Sequence, residues 1–382
     1  MTIQLPDLPN QISHRIHWLT YQPTPYNDYL FRHLDADKQI DLHVYFRQIS
    51  VSSHPWKSNL AEGYNSQVYN PVLGVDWGVV SLPLRDPQGF FLVAGWDHPT
   101  SQLLLTLLRI FRLKYGLWTD TPNLNRPRAP IKSFLRSIWL KWIFGGAAQI
   151  LGTGKIGVEN LKKMGAKEEK LINFPTFLNL ADYDLERKPR QYDRDRPLKF
   201  ISSGQINNSL KGHDLAIRAL SIAAKKCQHI AFEYYIAGTG PDESDLKQLA
   251  QVLGIEDRVK FLGWTEPETL RAFYLEAHAL IHPSPTHDPY PNAVLEGMAA
   301  GLSIFGSDLS GSVTDRIEHG VSGFIHQAGN VEQLAAQIID YLIDPESVAK
   351  MGTQARRTAA EWPIDYGVNT IRSILTSDLA DS

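Results

Sequence analysis

Two carboxylates and a proline-marked helix start share one short stretch, residues 282–301, which carries the densest chemical signal in the chain. Asp288 stands eight residues before Glu296. An apolar run ends at His282, a loop with Pro283, Pro285 and Pro289 follows, and Pro291 suits the first turn of a helix bearing Val294, Leu295 and Met298. A helix start offers backbone N–H groups without intrahelical partners and the positive end of a dipole, which suits a diphosphate. Asp288 falls just before that start and Glu296 about a turn and a half inside it, so both can border one pocket. An ionised carboxylate only accepts hydrogen bonds, which matches the hydroxyls of a ribose or a hexose.

The elements that must position these groups are read from hydropathy. Short runs rich in β-branched and aromatic residues recur at 16–20, 42–46, 90–95, 115–119, 148–152 and 171–174, with helical periodicity between them. A second series runs through 198–202, 232–238, 259–263, 279–282, 303–306 and 323–326. Such alternation predicts an α/β protein of parallel sheets with helices on their faces, and each series makes one doubly wound, Rossmann-like domain. With 382 residues the chain is too long for one ordinary core. Between the series, residues 184–197 are charge-dense, hold Pro189 and Pro197, and read as a linker. The expected boundary lies near Asp193, dividing 1–192 from 193–364. Asp193 and Asp195 mimic a D-x-D metal signature, but in a solvated linker they are assigned no metal. Residues 361–366 suggest a kink, and Val368, Ile371, Ile374 and Leu375 mark a last helix.

The totals narrow the classes. At 43% hydrophobic and 21% charged residues the composition is that of an ordered globular protein. A net charge of −3 leaves no global field for nucleic acid, so no nucleic-acid partner is expected and an anion must be met locally. The single cysteine, Cys227, excludes an internal disulfide and a zinc cage. No apolar run reaches about 18 residues and the first residues lack a signal-peptide pattern, so the expectation is a cytoplasmic protein without a membrane span.

The segment Asp288-x7-Glu296 resembles the E-x7-E motif of the retaining GT-B glycosyltransferases, glycosyltransferase family 4 (glycosyl transferases group 1). Supporting pieces follow the family's order. Ser203-Gly204 with Lys211-Gly212 resembles its G-R-x5-K-G phosphate segment, and Gly238-Thr-Gly240-Pro241 resembles its G-x-G-P turn. Residues 259–263 and 307–311 also have counterparts there. The likeness is close over about 198–330 and holds only in outline over the N-terminal half.

This resemblance implies two Rossmann-like domains facing a cleft, with the last helix (about 365–382) crossing back to complete the first. It implies a retaining hexosyltransferase that needs neither metal nor cofactor and moves a sugar from a nucleotide-diphosphate donor to a hydroxyl acceptor, a sugar, glycan or glycolipid, in polysaccharide, lipopolysaccharide or glycolipid synthesis. Glu296 would bind the donor ribose, Lys211 would neutralise the diphosphate, and Asp288 would sit at the transferred sugar. Gly204, Gln205, Gly238, Gly240, Gly263 and Trp264 would complete the donor site with Pro291, Asn292 and Ala293. Two residues depart from the family: Asp288 replaces a glutamate, and Gln205 stands where an arginine is usual. The second removes a charge-assisted contact of about 1.5–3 kcal/mol to a phosphate. It keeps open a non-catalytic nucleotide-sugar-binding scaffold, and a GT-B sugar-nucleotide epimerase is a further alternative.

In the N-terminal, acceptor-binding half, Asp28 follows a first strand that lacks a glycine-rich loop. Asp120 ends a strand where several family members carry a histidine, and His98 ends the preceding strand on the same edge. These three are the acceptor-side candidates, with Asp120 also the N-terminal contribution to catalysis. Residues 126–144 put Phe134, Leu135, Ile138, Trp139, Trp142 and Ile143 on one helical stripe beside Arg126, Arg128, Lys132, Arg136 and Lys141. One reading is a helix packed on the N-terminal sheet; the other is a peripheral contact with the inner face of an anionic membrane.

Overall fold

A computed structural model describes residues 14–49, 61–124, 127, 129–183 and 196–377. The apolar runs form two wholly parallel sheets. The first comprises β1 (His14–Thr20), β2 (Ile40–Phe46), β3 (Ser66–Val68), β4 (Phe90–Ala94), β5 (Tyr115–Thr119), β6 (Ile150–Gly152) and β7 (Leu171–Asn173). Its order is β3-β2-β1-β4-β5-β6-β7. The second comprises β8 (Leu198–Ser203), β9 (Phe232–Ala237), β10 (Val259–Gly263), β11 (Ala279–His282), β12 (Ser303–Ser307) and β13 (Gly323–His326), in the order β10-β9-β8-β11-β12-β13. Every run read as a strand is one. The short edge strand β3 is the addition, and its half-buried to exposed Ser66-Gln67-Val68 carries no hydropathic signal.

Both sheets reverse direction of winding at an inner pair, β1 beside β4 and β8 beside β11. Doubly wound sheets bind ligands beyond the carboxyl ends of their strands at such a switch point. In the second sheet the loops there are the ones after Ser203 and after His282, which lead to Lys211 and Asp288.

The described residues of Met1–Thr153, Gly157–Phe177 and Ile364–Ser382 form one compact unit, and those of Gly154–Ile156 and Leu178–Pro363 form a second. The second unit starts upstream of Asp193 because residues 178–183 pack into it. Asp182 pairs with Arg271 at 3.0 Å, and the same guanidinium lies 5.6 Å from the Tyr183 ring. The charged stretch 184–195, including Asp193 and Asp195, lies outside the described residues.

The last helix, Ile364–Ser377, belongs to the first unit, where Val368, Ile371, Ile374 and Leu375 join Leu30 and Leu34 in the core. Arg372 holds Asp37 at 2.6 Å, and the Tyr366 hydroxyl donates to the Asn173 carbonyl at 3.0 Å.

The helix Pro130–Gly146 corrects the single-stripe reading. It packs into the first unit through Leu140, Ile143 and Phe144, while Phe134, Leu135, Ile138 and Trp142 are exposed and Trp139 is half-buried. Arg126 and Arg128 lie outside the described residues.

Candidate functional site

Backbone-to-backbone hydrogen bonds join the loops at the carboxyl edge of β8, β9 and β10. The Gly204 amide donates to the Ala237 carbonyl at 2.9 Å, and the Gly238 amide donates to the Gly263 carbonyl at 2.8 Å. Gly238 has φ of +142°, and a β-carbon there would overlap the Gly204 carbonyl oxygen. One at Gly240 would overlap the Ile206 carbonyl. Both glycines therefore let two loops touch, and their backbones form the floor of the site.

Beyond Gln205 the chain makes a one-turn helix, Asn208–Lys211, which Gly212 ends in the left-handed conformation, φ +68°. Lys211 Nζ thereby reaches Asp288 Oδ2 at 2.5 Å. The backbone of Asp288 is tied to the β12 loop, its amide donating to the Leu309 carbonyl at 3.1 Å and its carbonyl accepting from the Gly311 amide at 2.9 Å. The same Oδ2 also accepts from His282 Nε2 at 2.9 Å and Ser284 Oγ at 3.1 Å. Burial pushes the Asp288 carboxyl up, but the His282 hydrogen bond and the Lys211 charge outweigh it and hold the group well below the usual carboxylate range. Burial pushes His282 down despite Asp288, so a neutral imidazole donates the bond and Lys211 supplies the counter-charge. Ser284 Oγ also lies 3.1 Å from His282 Nε2, but that nitrogen carries the proton it donates to Asp288 and so has no lone pair with which to take the Ser284 proton. The cluster is an electrostatic anchor, unlike a serine-hydrolase relay.

The helix Asn292–Ala299 opens with Pro291 as its N-cap, one residue earlier than the first-turn position that the sequence suggested. Glu296, on this helix, accepts from the Tyr274 hydroxyl at 3.1 Å. Tyr274 is fully buried, and burial followed by the Glu296 charge raises its phenol well above the ordinary value, so it remains a donor. Its oxygen lies 2.5 Å from Ser203 Oγ, which must then donate to it. The chain Ser203 to Tyr274 to Glu296 fixes one carboxylate oxygen and turns the group into an oriented acceptor for hydroxyls.

Asp288, Lys211, Ser203, Gly204 and Glu296 thus gather on the second sheet's switch point. Asn292 and Ala293 occupy the first turn beside them, and Asn292 Oδ1 is buried without a hydrogen-bond partner. Gln205 is half-buried in the floor loop, and Trp264, just past β10, is exposed with its indole N–H on Glu266 at 3.2 Å. Sequence spacing did not single out Tyr274, which arrives from the helix Pro267–Glu276, and it passed over His282 as a strand end.

The acceptor-side candidates lie at the carboxyl edge of the first sheet. Asp120 directly follows β5 and is exposed. His98 caps the helix Pro99–Ile110, its Nδ1 accepting from the Thr100 amide at 3.3 Å. Asp28 is buried in the helix Pro25–Asp35, with Oδ2 taken by Arg32 at 2.7 Å and Oδ1 by the Ala61 amide at 2.9 Å.

Comparison with known proteins bears on the fold and on the second half of the chain. Residues 184–358 match the family described as glycosyl transferases group 1. The amylovoran biosynthesis glycosyltransferase AmsK of Erwinia amylovora is 29% identical over 202 residues, 52% of this chain and 48% of that protein. The GDP-mannose-dependent alpha-(1-6)-phosphatidylinositol monomannoside mannosyltransferase of Mycobacterium tuberculosis is 26% identical over 175 residues, 44% of this chain and 45% of that one. The matches thus span about half the length of these relatives. The Anabaena protein HepE, solved in complex with UDP, superposes with a TM-score of 0.73 at 16% identity, covering 95% of this chain and 100% of that one. The fold is that of the GT-B glycosyltransferases, two Rossmann-like parallel-sheet domains with a C-terminal helix.

Proposed function

We propose that the chain is a retaining, metal-independent hexosyltransferase that moves a sugar from a nucleotide-diphosphate donor to a hydroxyl acceptor in polysaccharide, lipopolysaccharide or glycolipid synthesis. One observation carries the reading: Lys211, Asp288 and Glu296 converge on a helix start at the switch point of the second sheet. The amylovoran and mannoside enzymes among the relatives, and a structural neighbour that holds UDP, support the substrate class.

In this reading Glu296, oriented by Tyr274, accepts from the ribose hydroxyls. The free oxygen of Asp288 accepts from a hydroxyl of the transferred sugar. Lys211 turns from Asp288 to the diphosphate, whose charge grows as the glycosidic bond to it breaks; fixed donors aimed at that charge lower the barrier. Asp288 keeps its His282 and Ser284 bonds throughout and stays ionised, so it stabilises a positively charged sugar and does not act as the base. The acceptor hydroxyl enters from the departing phosphate's side, and a phosphate oxygen takes its proton. Asp120 serves on the acceptor side.

Donor sugars of UDP, GDP and ADP, each with chelator present, are screened for nucleotide release and for transfer to glycan acceptors. Retention of the donor anomeric configuration in the product, read by NMR, supports the proposal; inversion, or a strict metal requirement, refutes it. Because Gln205 removes a phosphate contact, a binding protein without turnover is the rival, and it predicts donor-induced thermal stabilisation with no nucleotide release at all.

A further inference from the structure

The helix Pro130–Gly146 is apolar on two opposite sides, and only one of them is covered. Leu140, Ile143 and Phe144 are buried in the first unit. Ile131, Phe134, Leu135 and Ile138 are 74, 64, 61 and 53% exposed, and Trp142 continues their row. At 3.6 residues per turn these five span about 100° of arc, centred opposite the buried three. Lys132 and Lys141 flank that arc on either side, both exposed, and Arg136 is half-buried. The helix contains no acidic residue. The preceding helix, Pro99–Ile110, ends beside it, with Arg109 Nε donating to the Trp142 carbonyl at 3.2 Å. There Ile110 and Phe111 are exposed too, beside exposed Arg112 and Lys114.

We infer that this face docks on an anionic bilayer surface. A row of large apolar side chains edged by ammonium groups fits the boundary between headgroups and acyl chains: the aromatic and aliphatic groups enter, and the stems of the lysines keep their charges at the phosphates. No helix of the described residues is long and apolar enough to cross a membrane, so the contact is one of lying on the surface. A second copy of the chain is a poorer occupant, because a two-fold contact would set this cationic rim against itself. Docking goes beyond the proposed transfer reaction and is read without it.

The test is co-sedimentation of the full chain at low salt with vesicles of phosphatidylcholine alone or of phosphatidylcholine with phosphatidylglycerol. Binding is expected only to the anionic vesicles and is lost at high salt. Each neutralised cation weakens partitioning roughly fivefold, so Lys132→Glu with Lys141→Glu lowers it by more than tenfold. Phe134→Gln with Ile138→Gln, also at exposed positions, lowers it comparably while circular dichroism and melting stay as in the wild type. Absent binding to anionic vesicles, equal binding to both vesicle types, or variants that bind like wild type would overturn the inference. So would a concentration-dependent dimer that the Phe134→Gln, Ile138→Gln pair abolishes, which would identify the occupant as a second copy. Failure here leaves the transfer reading untouched, since no sugar donor enters the assay.

Discussion

Replacing Lys211 by methionine keeps the length of the side chain and removes its ammonium, which makes it the sharpest test of the proposed donor site. In the structure Nζ sits 2.5 Å from an Asp288 oxygen that also accepts from His282 and Ser284. Those two bonds survive the substitution, so Asp288 stays a carboxylate and the fold around it holds. Two energies change for an incoming diphosphate. It loses a charge-assisted hydrogen bond of about 1.5–3 kcal/mol. It also meets an Asp288 charge that has lost its counter-ion; at an effective dielectric near 20, a phosphate charge about 5 Å away is repelled by about 3 kcal/mol. Partial solvation of the pocket overlaps the two, and the lower value already weakens diphosphate binding by about tenfold, the upper by about 150-fold. Isothermal titration with UDP, GDP and ADP, each against its parent nucleoside, reads this. The nucleoside affinity should be unchanged, because Glu296 and the floor loops are untouched. Adding Asp288→Asn should restore nucleoside-diphosphate binding in part but not binding of the sugar-bearing donor, which needs the acidic acceptor. Lys211→Met binding nucleoside diphosphate as tightly as wild type, or losing nucleoside and diphosphate affinity in equal measure, would refute the assignment.

Tyr274→Phe removes the fixed donor to Glu296, and we expect the donor KM to rise about tenfold with kcat little changed; an unchanged KM, or a fall in kcat alone, would show that Tyr274 does not orient that carboxylate. Gly238→Ala forces a β-carbon against the Gly204 carbonyl at φ +142°, and should cost about 2 kcal/mol or more; a melting temperature equal to wild type would show that the two loops part freely. Burial holds His213 and His326 at about 4 against an ordinary 6.5. These pKa values are depressed in the folded chain, so unfolded chains take up the protons first: the stabilising contribution is complete above pH 6.5 and is lost as pH falls from 6.5 to about 4, at up to about 1.4 kcal/mol per pH unit for each histidine. Urea midpoints at pH 7.5 and 5 check it, and His326→Gln should flatten the dependence; the same slope in the variant would reject the role of that ring. Asp120→Asn should lower transfer while leaving donor affinity intact, and a loss of donor affinity would instead make it a structural residue.

What could be read without coordinates follows from where each signal is stored. Strands buried on both faces, such as β11 and β12, become continuous apolar runs and are visible; the edge strand β3 touches solvent and is not. Asp288 and Glu296 were legible because one continuous loop and helix fixes their separation. Tyr274 and Ser203 were not, since they come from two other elements and meet Glu296 only through the adjacency of β8 and β11, a tertiary fact with no fixed spacing. His282 lay inside the motif yet looked like the end of an apolar strand, and its role depends on the following loop bringing the Asp288 carboxylate back to its ring.

The helix Pro130–Gly146 shows the opposite limit, where a strong pattern misdirects. Periodicity finds apolar positions three and four apart, and a helix apolar on opposite sides satisfies that spacing twice over. Phe134 and Ile143 were therefore placed on one stripe, whereas nine positions at 100° each put them about 180° apart. The sheet decides which side is covered: Ile143 faces Tyr115, whose hydroxyl donates to the Ile143 carbonyl at 2.6 Å, and Phe134 is left to solvent. A row of exposed aromatic and aliphatic groups persists at a cost in hydration free energy unless something covers it. The lysines at its edges and the missing carboxylates decide among coverings, because they lower the energy of an anionic surface and raise that of a like one.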